Sequence, residues 1–216
     1  MGDPSFSVIK DPSVMDDVKR IVDYFSKTND WSNDDFLQVY EEILNLCYWV
    51  KGFEPENILE IGSRGTTFYI LNKFSKGKKA AIDLSDLRSR IHMAMYGEDW
   101  KFFVGNSQTE AMRDRVGEFC NKYDLIFIDG DHNYAGVKKD FELYKTLLSE
   151  RGVILFHDVD PNHKFPGEMG GGDVARFWQE LDEGTKTHLL TIKSSGKNKL
   201  WGSTEGFGGI GIWTPG

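Results

Sequence analysis

The sequence predicts a doubly wound α/β domain, and three observations carry that prediction. Short, almost wholly apolar runs recur from Asn57 onward, stretches of helical period separate them, and a glycine, aspartate or histidine follows each run. Apolar strands alternating with helices are the pattern of a parallel sheet covered on both faces. The expected architecture is therefore a Rossmann-like sheet, mostly parallel, with an antiparallel C-terminal hairpin and helical N-terminal decoration. All 216 residues are read as one domain, a helical segment over 1–55 and the sheet-bearing core over 56–216.

Asp11-Pro12-Ser13 opens a first helix, whose Val14, Val18, Ile21, Val22 and Phe25 recur at helical spacing. Ser32 caps a second. Asp34 and Asp35 in its first turn complement the helix dipole, and Phe36, Tyr40, Ile43, Leu44 and Cys47 line one face. Strands are expected over 58–61, 79–82, 101–104, 125–128 and 153–156, with helices over 66–74 and 134–148. After Gly170-Gly171-Gly172, Asp173 caps a helix over 174–181. Strands over 187–192 and 208–213, joined by a polar loop over 193–205, form the closing hairpin. The stretch 160–172, rich in glycine and holding His163, reads either as a lid over the site or as a plain surface loop.

Composition removes several classes. With 26 basic against 34 acidic residues the net charge is −8, which argues against nucleic-acid binding, since phosphate neutralisation needs clustered Lys and Arg. Cys47 and Cys120 allow one disulfide at most, so a secreted disulfide scaffold is not expected. No apolar run approaches 18 residues, and the first ten lack the charged-then-apolar design of a signal peptide. The expectation is a soluble, cytoplasmic domain with a small-molecule substrate and no membrane partner, compatible with a homo-oligomer.

In such a sheet the ligand lies at the carboxyl ends of the strands. The first strand ends in Glu60-Ile61-Gly62-Ser63-Arg64-Gly65-Thr66-Thr67, a turn that lets backbone approach a ligand at a helix N-terminus. It lacks the G-x-G-x-x-G fingerprint of a dinucleotide site, and it also reads as an ordinary tight turn. Glu60, inside an apolar strand, needs donors or a cationic ligand. Asp83, twenty-one residues after Gly62, is placed either to hold both ribose hydroxyls or, through Asp83-Leu84-Ser85-Asp86, to cap a helix. Gly105-Asn106-Ser107 suits an adenine edge or a turn. Asp129-Gly130-Asp131-His132 and His157-Asp158 put five ionisable groups at the ends of two strands. Such a set can hold a divalent cation and supply a general base, or can be a salt-bridged rim.

At these residues the chain resembles the class I S-adenosylmethionine-dependent methyltransferases. The branch resembled is the one related to cephalosporin-hydroxylase-like proteins and metal-dependent sugar O-methyltransferases. Phe127-Ile128-Asp129-Gly130-Asp131-His132-Asn133-Tyr134 and Gly152-Val153-Ile154-Leu155-Phe156-His157-Asp158 are the most specific stretches. The resemblance implies S-adenosyl-L-methionine as cofactor, bound by Glu60, Gly62, Ser63, Arg64, Gly65, Thr67, Asp83, Leu84, Asn106, Ser107 and Asp129. It also implies a divalent cation, Mg²⁺, Mn²⁺ or another, on Asp129, His157 and Asp158, with His132 as the base. The chain departs from the pattern in a glycine loop one residue shorter, in Asn106 where many relatives have an aspartate, and in His157 where a carboxylate is usual. The implied reaction is O-methylation of a small hydroxylated acceptor, a sugar or diol. The alternatives are a metal-dependent hydroxylase of the cephalosporin type and a non-catalytic nucleoside-binding module.

Overall fold

The computed structural model describes residues 40–63, 66–85, 99–161, 172–190 and 209–216, together with Ser13, Asp16 and Arg20. They form a seven-stranded sheet of β1 (Ile58–Ile61), β2 (Lys79–Asp83), β3 (Trp100–Val104), β4 (Tyr123–Ile128), β5 (Leu148–Phe156), β6 (Thr185–Leu190) and β7 (Ile210–Thr214). The spatial order is β3-β2-β1-β4-β5-β7-β6. β1 to β5 are parallel, and β7 runs antiparallel to both β5 and β6. Strand order reverses between β1 and β4, where a doubly wound sheet opens a crevice at its carboxyl edge. The described helices are α1 (Tyr40–Phe53), α2 (Thr66–Asn72), α3 (Glu110–Phe119), α4 (Tyr134–Tyr144) and α5 (Gly172–Glu180).

The two-residue alternation of the strands splits the core. Leu59, Ile61, Ile126, Ile128, Ile154 and Phe156 pack with Val116 of α3, Phe141 of α4 and Phe177 of α5. Ile58, Leu125, Phe127, Val153 and Leu155 belong to a second cluster with Leu46, Trp49 and Val50 of α1 and Leu71 of α2. Both faces are covered, which is why these strands read as continuous apolar runs rather than as alternation. Each large side chain buried in this way contributes on the order of 1.5–3 kcal/mol.

Several boundaries move from the expected ones. α1 runs on to Phe53, where Trp49 stacks on the Phe53 ring at 4.9 Å. The helix expected over 134–148 stops at Tyr144, passes through a 3₁₀ turn at Lys145–Leu147, and gives way to β5 at Leu148. β5 thus begins five residues before its apolar run, in Ser149, Glu150 and Arg151, which no hydrophobic pattern marks. Asp173 does not cap α5 from outside; it lies within the helix's first turn. α3 is an element the pattern did not show, because only its Met112 and Val116 are buried. Of the two N-terminal helices, Ser13, Asp16 and Arg20 are helical, and the rest of 1–39 lies outside the described residues, as do 162–171 and the loop 193–205.

Candidate active site

Sheet register sets the site. Ile82, Ile61, Ile128 and Phe156 are aligned across β2, β1, β4 and β5, so the residues that follow them, Asp83, Gly62, Asp129 and His157, form one row at the carboxyl edge. Backbone bonds hold the row. Gly62 N–H donates to Ile82 O at 2.9 Å, Asp129 N–H to Ile61 O at 2.9 Å, and His157 N–H to Ile128 O at 3.1 Å.

At the β1 end the chain turns through Gly62, whose φ of +82° favours glycine. A Cβ there would overlap the Asp129 carbonyl oxygen and Gly130 Cα, so the two loops touch backbone to backbone. Glu60, Ser63 and Thr67 are buried around this turn, while Arg64 and Gly65 lie outside the described residues. Burial drives the Glu60 carboxyl well above the usual range against the Ser63 hydroxyl, and Asp129 and Asp83 push the same way. At the β2 end Asp83 Oδ1 accepts the Ser85 N–H at 3.0 Å, and the neighbouring Leu84 is 74 % exposed, an open apolar surface beside the carboxylate.

After β3, Asn106 spends its side chain on a turn, Oδ1 accepting from Gln108 N–H at 2.9 Å. Ser107 O accepts from Tyr144 OH at 3.0 Å, and Thr109 Oγ1 caps α3 by accepting from Met112 N–H. Of the two readings of Gly105-Asn106-Ser107, the turn accounts for the Asn106 carbonyl.

The loops after β4 and β5 bring four ionisable side chains together. His132 Nε2 lies 3.5 Å from Asp129 Oδ1 and 3.2 Å from Asp158 Oδ2. His157 Nδ1 lies 3.4 Å from Asp129 Oδ1 and 3.2 Å from Asp158 Oδ1. Two imidazoles thus bracket two carboxylates. His132 is on the open side, its side chain 32 % exposed, and His157 and Asp158 are buried. Asp158 adopts φ +61°, a left-handed conformation that aspartate tolerates better than most residues and that turns the chain sharply out of β5. Burial opposes the charge on Asp129, but His157 and then His132 hold its carboxyl well below the usual range. The hydrogen bond to Asp129 raises His132 despite its burial. Burial pulls His157 down, and the carboxylates of Asp158 and Asp129 more than reverse it.

The donor set fits a divalent ion. Ligand atoms of Asp129, His132 and Asp158 all lie within 4.8 Å of one another, a spread that one ion contacting each at about 2.0–2.6 Å can span. His157 meets the same carboxylates from the buried side. Of the expected trio, Asp129 and Asp158 belong to this group, with His132 in the third place where His157 was expected.

Residues 59–159 match a family model described as a methyltransferase domain. Over this stretch, a little under half of its length, the chain is similar to a methyltransferase domain. A protein of Sinorhizobium fredii, itself uncharacterised, is 45 % identical over 150 residues, 61 % of this chain and 16 % of that protein. An uncharacterised mimivirus protein is 31 % identical over 82 residues, so the chain spans only 16 % and 37 % of these curated relatives. Among solved structures, an O-methyltransferase of Bacillus cereus in complex with SAH has a TM-score of 0.60 at 19 % identity, covering 96 % of this chain and 93 % of that one. The O-methyltransferase TomG of Streptomyces achromogenes in complex with SAM has a TM-score of 0.61 at 19 % identity, covering 98 % and 93 %. These two share the fold.

Three residues around this site escaped sequence reasoning. Gln108 Nε2 donates to Asp131 Oδ2 at 2.9 Å, joining the loops after β3 and β4. Tyr144 reaches back from the end of α4 to Ser107. Asp140, fully buried on α4, lies beside Ser107 and Gly130; burial pushes its carboxyl up to about 7, the Ser107 hydroxyl opposing and Asp131 adding. A carboxylate between Val137 and Phe141 on an apolar helix face was the available signal for Asp140. No comparable signal marks Gln108.

Proposed function

We propose that this domain transfers the methyl group of S-adenosyl-L-methionine to a hydroxyl of a small acceptor, a sugar or another vicinal diol, with a divalent cation assisting. The observation that carries the reading is the shared wall. The Gly62 turn, suited to a nucleoside cofactor, touches the backbone of Asp129-Gly130, and the Asp129 side chain continues into the acid–imidazole cluster. The family match supports the transfer, and the SAM and SAH named for the solved relatives support the cofactor.

Asp83 would accept from the ribose hydroxyls, Leu84 would offer an apolar face to the base, and the amides after Gly62 would face the amino-acid end of the cofactor. Asp129 and Asp158 would hold the cation with His157 behind them. When bound, it supplies Lewis acidity at an acceptor hydroxyl, alongside the electrophilic methyl that the cofactor supplies. His132, its side chain partly exposed and raised in basicity by Asp129, would take the hydroxyl proton. Adjacent oxygens on the acceptor follow from chelation. The convergence of Asp129, His132 and Asp158 favours a second reading, in which His132 is itself a ligand.

Calorimetric titration tests the reading. S-adenosylhomocysteine is expected to bind with or without chelator and NAD not to bind; absence of S-adenosylhomocysteine binding overturns the proposal. Mn²⁺ titrated into His132→Ala separates the two readings, since binding persists if His132 is the base and falls if it is a ligand.

A further inference from the structure

We propose that Asp140 is a positioning residue: uncharged, it lets the loop after β4 rest on the Gly62 turn, and its ionisation loosens that contact, so that cofactor affinity falls as pH rises. The proposal rests on the nucleoside reading above. A Cβ built on Gly130 would stand 3.4 Å from Ile61 Cγ2, 3.5 Å from Asp140 Oδ2 and 3.8 Å from Gly62 Cα. The carboxyl therefore lies against the place where the two loops touch. Asp140 is fully buried, neither of its oxygens completes a hydrogen bond, and Val137 and Phe141 beside it on α4 belong to the apolar core.

The groups that face Asp140 do not compensate a charge. From the loop after β4 comes Asp131, whose Oδ1 accepts from Asn133 N–H at 3.0 Å and Nδ2 at 2.7 Å, and whose Oδ2 accepts from Gln108 Nε2 at 2.9 Å. Burial opposes its ionisation, but Asn133 and Gln108 hold its carboxyl below the usual range, so it stays an anion. It is seated over Gly136, where a Cβ would overlap Oδ2, one turn before Asp140 on α4. From α4 itself comes the Tyr144 hydroxyl, which burial pushes up, Asp140 adding and Arg113 of α3 opposing. From the loop after β3 the Ser107 hydroxyl favours the charged form. Burial outweighs it and Asp131 adds to burial, so the Asp140 carboxyl titrates at about 7. An anion in this place must draw in water or push Asp131 away. Both responses act on the loop that holds Gly130 against Gly62.

The test is calorimetric titration of the full chain with S-adenosylhomocysteine from about pH 5.5 to 8.5. In the unmodified protein affinity should be level below about pH 7 and fall above it by at most about tenfold per pH unit, the limit for one proton. Asp140→Asn keeps the shape and cannot ionise, so at the alkaline end it should bind about tenfold tighter than the unmodified protein does there. Imidazoles and the amino group of the ligand titrate in both proteins, and the difference between the profiles belongs to Asp140. Asp140→Leu, equally unable to ionise, should also give a level profile, and it decides the matter if Asp140→Asn does not fold. In Ser107→Ala, which removes the hydroxyl that favours the charge, the fall should begin at higher pH. The same fall in Asp140→Asn, or a level profile in the unmodified protein, overturns the inference. Absence of binding at every pH overturns the nucleoside reading along with it.

Discussion

β4 carries an aspartate near each end, and the two are held in opposite ways. Asp124, near its start, accepts the N–H groups of Glu56 and Asn57 at 2.9 and 3.2 Å and the Ser149 hydroxyl at 2.6 Å, with Arg151 Nε 3.6 Å away. Asp129, just beyond its end, faces two imidazoles and lies across from the carboxylate of Asp158. Both carboxyls are held below their usual range against burial, Asp124 chiefly by Ser149 and the two amides, Asp129 chiefly by His157. The donors around Asp124 are fixed and cannot leave. Those around Asp129 are protons on imidazoles, which a cation can displace or a substrate can exchange. The lower end of the sheet is closed, and the upper end is chemically open.

The largest expected contrast is therefore between function and stability. His132→Ala should lower turnover by roughly 10²–10⁴-fold, the usual worth of a positioned base, while leaving S-adenosylhomocysteine affinity nearly unchanged. Asp124→Ala should do the reverse, losing about 1–3 kcal/mol of stability in denaturant titrations by stranding amide and hydroxyl donors, with cofactor affinity intact. A loss of cofactor binding in Asp124→Ala, with stability preserved, would break the comparison.

A middle-sized effect sharpens the upper end itself. Asp83 stands in the row but outside the acid–imidazole cluster, so Asp83→Ala should weaken S-adenosylhomocysteine by about 1–3 kcal/mol without altering Mn²⁺ affinity. Asp158→Ala should do the opposite, removing Mn²⁺ binding while the nucleoside still binds. Titrations in which both variants lose both ligands would dissolve the division into a cofactor half and a cation half.

What was legible in the sequence follows from range. The apolar runs of β1, β2, β4 and the second half of β5 stand out because both faces of the sheet are covered, and strand ends then point to Asp83, Asp129, His157 and Asp158. The bond between Gln108 and Asp131 joins positions 23 apart through the topology of the sheet, and no local spacing announces it. The first half of β5 was hidden for a related reason. Its polar Ser149 and Arg151 are specified by Asp124 across the strand pair, a tertiary demand that overrides hydrophobic pattern. For Asn106 the sequence supports the two local readings equally, and in the structure its Oδ1 is engaged by a turn within its own loop.

The smallest effect is a slope of stability against pH in the metal-free protein, and it tests whether the open end is tuned by its imidazoles alone. His132 and His157 have folded pKa values raised above about 6.5, so their contribution is fully present below that pH and is lost as pH rises through the folded values. Asp140 also lowers stability with rising pH, but in another window. Its folded carboxyl titrates at about 7 and its unfolded one near 3.9, so the folded state holds the extra proton between about pH 4 and 7, and stability falls across that interval and levels off above it. Asp124 acts in the other direction, because a depressed carboxyl loses its contribution only as pH falls below about 3.9. Denaturant titrations from pH 5 to 9 should show a decline of at most about 1.4 kcal/mol per pH unit from each titrating group. Asp140→Asn, which mimics the neutral carboxyl, should flatten the decline below pH 7 and leave the part above it. His132→Ala should reduce the upper part and leave the lower. If Asp140→Asn leaves the whole profile as it was, Asp140 is not the buried acid, and the lower window belongs to another group such as Glu60, whose carboxyl burial also raises.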